Sequence, residues 1–225
     1  MPRDLFEREL EQLQNEMLTM AHAVENALTD AVAMLAQRDM EGARALIARD
    51  RAINQQRFDL EAQCLVVVAT QQPMASDLRI VAAILFNVNE LERIGDYAKG
   101  IAKINLRIPP EPLLQPLADL PRMAEITRAM LHSALDAFVR RDVALARAIP
   151  RQDDAVDALF EKVNQDLLQL IIADSRVTAQ ANLLMWAAHN LERAADRVTN
   201  LCERAIFTVT GEFVEMDADE PGQTD

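Results

Sequence analysis

Two stretches of this chain place carboxylates one helical turn apart. Leu91-Glu92-Arg93-Ile94-Gly95-Asp96-Tyr97-Ala98 is echoed a hundred positions later by Leu191-Glu192-Arg193-Ala194-Ala195-Asp196-Arg197-Val198. Residues four apart in a helix stack on one face, so Glu92 lies over Asp96 and Glu192 over Asp196. Like charges at that spacing cost an isolated helix roughly 0.2–0.5 kcal/mol, so each pair needs a cation, a basic partner or water. A second acidic position accompanies each pair. Asp50 stands at helical spacing from Leu46, Ile47 and Ile53, and Asp153 from Ile149, Val156 and Phe160, with Asp157 four further on. A carboxylate beside an apolar stripe must be paired, protonated or coordinated.

The candidate ligand groups are therefore Asp50 with Asn54 and Glu92 with Asp96 in the first half, and Asp153 with Asp157 and Glu192 with Asp196 in the second. If those faces meet, the oxygen-only donors suit Mg2+, Mn2+, Ca2+ or iron, and the density of acid points to a cluster of cations. Gly95 and Ala195 would let a helix or an ion approach closely. The competing reading makes these surface charges, neutralised by Arg49, Arg93, Arg151, Arg193 and Arg197.

The elements that must position these groups are helices. Apolar residues from Leu10 through Leu35 recur at spacings of three and four, which predicts an amphipathic helix over about 5–38. The pattern resumes after Asp39 and stops near Gln72, since Pro73 disfavours helix at the residue before it. A third helix is expected over about 76–106. Five of the nine prolines fall between Arg107 and Pro121, which marks a linker. Helices are then expected over about 122–141, 143–173 and 178–209, with a kink or late start at Pro150.

The halves align as a repeat. Ala31, Arg38, Asp39, Ala43 and Asp50 recur 103 positions later as Ala134, Arg141, Asp142, Ala146 and Asp153, and the carboxylate pairs recur 100 positions later. The expected architecture is all-α, two tandem, similar three-helix bundles, 1–106 and 122–210, joined by the linker 107–121. The acidic tail 211–225 has little to bury and is expected to be disordered.

Composition excludes several functions. With 23 basic and 36 acidic residues, the formal charge of -13 weighs against phosphate-backbone recognition and against binding an anionic membrane directly. Cys64 and Cys202 lie in apolar runs and read as buried free thiols in a reducing compartment. The charged amino terminus lacks a signal-peptide core, and the apolar run 80–86 is too short to span a bilayer, so a cytoplasmic protein is expected. There is no Gly-x-x-x-x-Gly-Lys loop and no nucleophile motif.

The string 91–98, the Gln71-Gln72-Pro73-Met74-Ala75-Ser76-Asp77-Leu78-Arg79 turn, the Arg38-Asp39 and Arg141-Asp142 junctions and the tandem arrangement together resemble the PhoU family, over roughly Met17 to Gly211. That resemblance implies two three-helix bundles whose Glu/Asp-x-x-x-Asp motifs bind metal clusters, iron or zinc among them, with manganese and magnesium as further candidates. The motifs fall on Glu92 and Asp96, Glu192 and Asp196, Asp153 and Asp157, and on Asp50. The chain departs from the pattern at Asn54, which supplies an amide in place of an acid, and at Gly100, where the second half has Asn200. The first site is accordingly expected to be the weaker.

The resemblance further implies a non-catalytic, homodimeric negative regulator of the phosphate-starvation response. Its expected partners are a PhoR-like sensor histidine kinase and a PstB-like phosphate-transporter ATPase, with any membrane association peripheral and through proteins. One alternative is a PhoU-like adaptor serving another transporter or kinase. The other is a carboxylate-bridged metal enzyme, which calls for Glu-x-x-His; the residues three before His22, His132 and His189 are Thr19, Ala129 and Trp186. His189, three before Glu192, is a candidate nitrogen ligand. His22 and His132 read as ordinary helix residues, the methionines as core, and Trp186 as packed within the second bundle.

Overall fold

In the computed structural model, which describes residues 2–109, 112–114 and 118–216, the first unit comprises α1 (Pro2–Gln37), α2 (Met40–Gln71) and α3 (Ser76–Asn105). The second comprises α4 (Asp119–Arg140), α5 (Val143–Ala148), α6 (Asp153–Ala173) and α7 (Thr178–Thr210). Among the described residues there is no strand, and no helix is long and apolar enough to cross a membrane.

The repeated Arg-Asp dipeptides have a physical meaning. Arg38 and Arg141 both adopt φ 57°, the left-handed conformation that ends a helix. The amides of Asp39 and Asp142 then reach back to Met34 O (2.8 Å) and Ala137 O (2.9 Å). Each Asp turns its carboxylate onto the next helix, accepting from Gly42 N at 2.8 Å and Leu145 N at 2.9 Å. One dipeptide thus stops a helix and caps the next. Asn105, fully buried at the end of α3, fastens the first junction by donating to Met34 O and Asp39 O at 3.0 and 2.9 Å.

Pro150 splits the fifth expected helix. α5 ends at Ala148, a 3-10 turn spans Pro150–Gln152, and α6 starts at Asp153. Pro cannot donate the bond that would continue α5, but a helical first turn tolerates it. By the same tolerance α4 begins at Asp119, inside the segment expected as linker, with Pro121 in its first turn. The described linker residues are docked: Leu114 N donates to Gln180 Oε1 at 2.8 Å, and Gln180 Nε2 donates to Pro112 O at 3.3 Å. The tail also departs from expectation. Over residues 211–216 it folds back on α7, with Phe213 stacked on Phe207 at 4.3 Å and Met216 N donating to Glu203 Oε1 at 3.0 Å. Its remainder, 217–225, lies outside the described residues.

The units pack side by side, with the α3–α7 contact the most extensive of all helix pairs. Position 90 faces position 200, where Asn200 Nδ2 donates to Glu90 Oε2 at 3.1 Å. Position 100 faces position 190, where a Cβ on Gly100 would lie 3.1 Å from Asn190 Oδ1. α3 and α7 therefore run antiparallel about a pseudo-twofold axis. Arg197 sits near it, 3.4 Å from Glu90 and close enough to Tyr97, its counterpart in the other repeat, to interact with it electrostatically.

The junction chemistry is separable by mutation. Asp142→Ala is expected to lower stability by about 1 kcal/mol through loss of the cap. Arg141→Gly, which relieves a left-handed side-chain residue, is expected to raise it by about 1 kcal/mol. Urea denaturation with an unchanged slope reads both.

Candidate metal-binding faces

Residues two apart on α3 point in opposed directions, so while Glu90 and Tyr97 turn toward α7, Glu92, Asp96 and Lys99 turn toward α2. There they meet Asp50, which is 4% exposed. Lys99 Nζ lies 2.6 Å from Asp50 Oδ2 and 3.2 Å from Asp96 Oδ1. Asn54 Nδ2 also donates to Asp50 Oδ2, at 3.3 Å. Lys99, held protonated foremost by its hydrogen bond to Asp50, is thus an internal cation for the first face. Glu92 has its pKa raised, first by burial and then by Asp96, with Arg57 and Arg93 opposing.

The second face brings together Asp153 at the start of α6, Asp157 one turn on, and Glu192 and Asp196 on α7. Position 199, the counterpart of Lys99, is Thr199, whose hydroxyl is spent on Asp196 O at 2.7 Å. Burial pushes the Asp153 carboxyl up to about 7, reinforced by Asp157, Asp196, Glu192 and Asp154 in that order. Burial likewise pushes Glu192 up to about 7, with Asp196 adding to it and Arg193 opposing. Asp153 Oδ1 and Glu192 Oε2 are buried with no hydrogen-bond partner. His189 Nδ1 stands 3.3 Å from Glu192 Oε2, in ion-pairing range but not aligned as a donor.

The surface-charge reading holds only in part. Arg193 pairs with Asp196 at 3.1 Å, but Arg49 pairs with Asp30 at 3.4 Å and Arg197 with Glu90, so neither neutralises a candidate ligand. Gly95 and Ala195 are buried and serve helix packing: a Cβ on Gly95 would meet Ile53 at 3.5 Å. Trp186 is corrected as well. It is 54% exposed, in a T-shaped contact with the His189 ring at 5.5 Å, on the open rim where α7 meets Gly100, Lys103 and Ile104 of α3. Cys64 and Cys202 are buried, their thiols pushed up to about 12 by burial, and so are unreactive. Lys99, which sequence reasoning passed over, had a signal: the repeat pairs it with a threonine.

The carboxylate oxygens without partners, the hard donor set and the adjacent imidazole on the second face fit a divalent or trivalent cation. On the first face the Lys99 ammonium already lies against two of the expected ligands, so a metal there must displace it.

A duplicated pair of three-helix units with an acidic face on each defines a class, helical proteins built by internal repetition around carboxylate-rich grooves. The PhoU domain model matches residues 17–104 and 120–205, and the chain belongs to the PhoU family. It is 37% identical over 212 residues to the phosphate-specific transport system accessory protein PhoU of Serratia marcescens, covering 93% of this chain and 86% of that one. It is 34% identical over 216 residues to the PhoU of Escherichia coli K12, covering 96% and 90%. The crystal structure of the phosphate transport system regulatory protein PhoU from Streptococcus pneumoniae superposes with a TM-score of 0.87 at 30% identity, covering 94% of this chain and all of that one.

Two outcomes follow for metal-free protein. A carboxyl whose folded pKa is raised binds its proton more tightly when folded, so it favours the fold below its ordinary pKa and loses that contribution as pH rises to about 7. Asp153→Asn is expected to flatten this decline and to exceed the parent at pH 8 by roughly 1–3 kcal/mol, with little change at pH 4.5; thermal melts across that range measure it. Lys99→Met, by contrast, strands the buried Asp50 charge. It is expected to cost about 2 kcal/mol at pH 7, below the 3–5 kcal/mol of fully buried pairs because Lys99 keeps some solvent contact.

Proposed function

We propose that this chain is a cytoplasmic, non-catalytic accessory regulator of a phosphate-specific transport system. It couples the transporter's PstB-like ATPase subunit to a PhoR-like sensor histidine kinase and holds phosphate-starvation genes off when phosphate is plentiful. The observation that carries this reading is the match of both halves to the PhoU domain, with relatives named as accessory proteins of that system covered over nearly their whole length. Two packed bundles offering long helical faces suit a scaffold for other proteins.

In this reading the second face is a resident metal site. Asp153, Asp157, Glu192 and Asp196 hold the ion or ions, with His189 beside them, and iron, zinc, manganese and magnesium all suit oxygen-rich ligands with an imidazole at the edge. A bound cation supplies positive charge where the fold gathers four carboxylates. The chain's own residues do the rest: the Pro150 break places Asp153 at the head of α6, the α6–α7 packing keeps water from Asp153 Oδ1, and Arg193 orients Asp196. The first face, neutralised by Lys99, takes metal more weakly.

Protein purified without chelator or affinity-tag metal is expected to carry metal by mass spectrometry. Thr199→Lys, which copies the Lys99 arrangement onto the second face, is expected to lower the metal held at that face, followed by the ring signals of His189, at least about tenfold while leaving the fold intact. Equal metal at that face in parent and variant would remove the site assignment. Co-purification from phosphate-replete cells tests the regulatory reading separately. Recovery of the ATPase subunit and the sensor kinase is expected, and recovery of neither overturns it.

A further inference from the structure

The pseudo-twofold axis also relates α1 to α4, and where they meet the two repeats differ in chemistry. On one side of the axis stand His22 and Glu25 of α1 and His132 of α4. Glu25 is 6% exposed, deep in the seam between the units. His22 Nδ1 lies 3.2 Å from Glu25 Oε2, and His132 Nδ1 lies 3.5 Å from Glu25 Oε1. That second oxygen is buried without a hydrogen-bond partner. The two imidazoles face each other at 6.4 Å between centroids and are 58% and 64% exposed, so the carboxylate forms the floor of an open cleft and the rings its walls.

On the symmetry-related side, the 103-residue offset puts Glu125, Arg128 and Thr29 in the corresponding places. There Arg128 binds both oxygens of Glu125, at 2.5 and 3.2 Å, and no free donor set results. Arg128 also lies near enough to Glu25 to feel its charge, yet its guanidinium is committed to Glu125. The His-Glu-His group is thus not an ornament copied by the duplication.

We propose that His22, Glu25 and His132 form a transition-metal site of the zinc class that clips α1 to α4, and so one repeat to the other. Two imidazoles and a carboxylate are the donor set zinc takes when it keeps a fourth position for water, and the exposed rings leave that position open. With metal–donor distances of about 2.0–2.2 Å, tetrahedral donors stand about 3.4 Å apart. The two nitrogen–oxygen separations of 3.2 and 3.5 Å bracket that value, and the three ligand atoms all lie within 4.8 Å of one another. Binding uses the Nδ1 lone pair of each ring, which the neutral imidazole offers in the tautomer protonated at Nε2. The site shares no residue with the acidic faces and bears on the junction between the units.

The chain has three histidines, so ring signals of His-labelled full-length protein report the site directly, with His189 as a separate monitor of the second acidic face. Chelator-treated protein is titrated with Zn2+ at pH 7.5. The signals of His22 and His132 are expected to shift together and saturate at one common concentration. His132→Gln is expected to weaken the response of His22 roughly 100-fold, and His22→Gln that of His132 equally, whereas outer-shell changes cost 10–100-fold. Both substitutions fall on exposed side chains, and an unchanged melting temperature of the metal-free variants confirms their folds. Signals that stay fixed through ten equivalents of Zn2+ would overturn the proposal by leaving the group a carboxylate flanked by two imidazoles with no affinity for the metal. So would rings that respond independently, each with undiminished affinity when the other is removed.

Discussion

Everything else in this molecule hangs on the antiparallel contact of α3 with α7. It is built from small and complementary residues: Gly100 lets Asn190 approach, Asn200 and Arg197 share the carboxylate of Glu90, and Tyr97 meets Arg197 close to the pseudo-twofold axis. Because side chains two apart on a helix point in opposed directions, committing Glu90 and Tyr97 to this seam sends Glu92 and Asp96 away from it. The corresponding statement holds for α7. The acidic faces thereby open on α2 and α6, one on each unit.

The duplication supplies symmetry, and single residues break it. On the first face Lys99 ion-pairs two of the three carboxylates, Asp50 and Asp96, whereas on the second Thr199 offers no cation, and Asp153 feels the charges of Asp157, Asp196 and Glu192. The difference is one of desolvation. Asp153 and Glu192 are held back from water by α6 and α7 packing, and their like-charged neighbours make ionisation costlier still. At the α1–α4 seam the break runs differently, with Glu25 between two imidazoles on one side and Arg128 bound to Glu125 on the other.

Much of this was legible in the chain. Helix existence and type followed from apolar residues at spacings of three and four, and the carboxylate pairs from the Glu-x-x-x-Asp strings, since both are properties of a single helix. The Arg-Asp junctions were visible as a repeat, though not as a left-handed residue followed by a cap. The linker and tail misled in part. Pro121 reads as linker yet sits in the first turn of α4, and residues 211–216 look unburiable yet find Phe207 and Glu203 on α7. Trp186 reads as interior by its type, yet it is half exposed on the rim of the α3–α7 seam.

By itself the sequence determined the helices, their order, the duplication and the acid residues that share a helical turn, because each depends on neighbours within one or two turns. Tertiary structure alone decided which charges are neutralised. Lys99 reaches Asp50 across 49 positions, and His132 comes to Glu25 across more than a hundred, on a separate helix of the other unit. A salt bridge or a ligand set is a matter of a few ångströms between side chains on different elements. No periodicity within either element encodes that distance; it is set where the packed faces of α1, α3, α4 and α7 bring the two repeats to rest against each other.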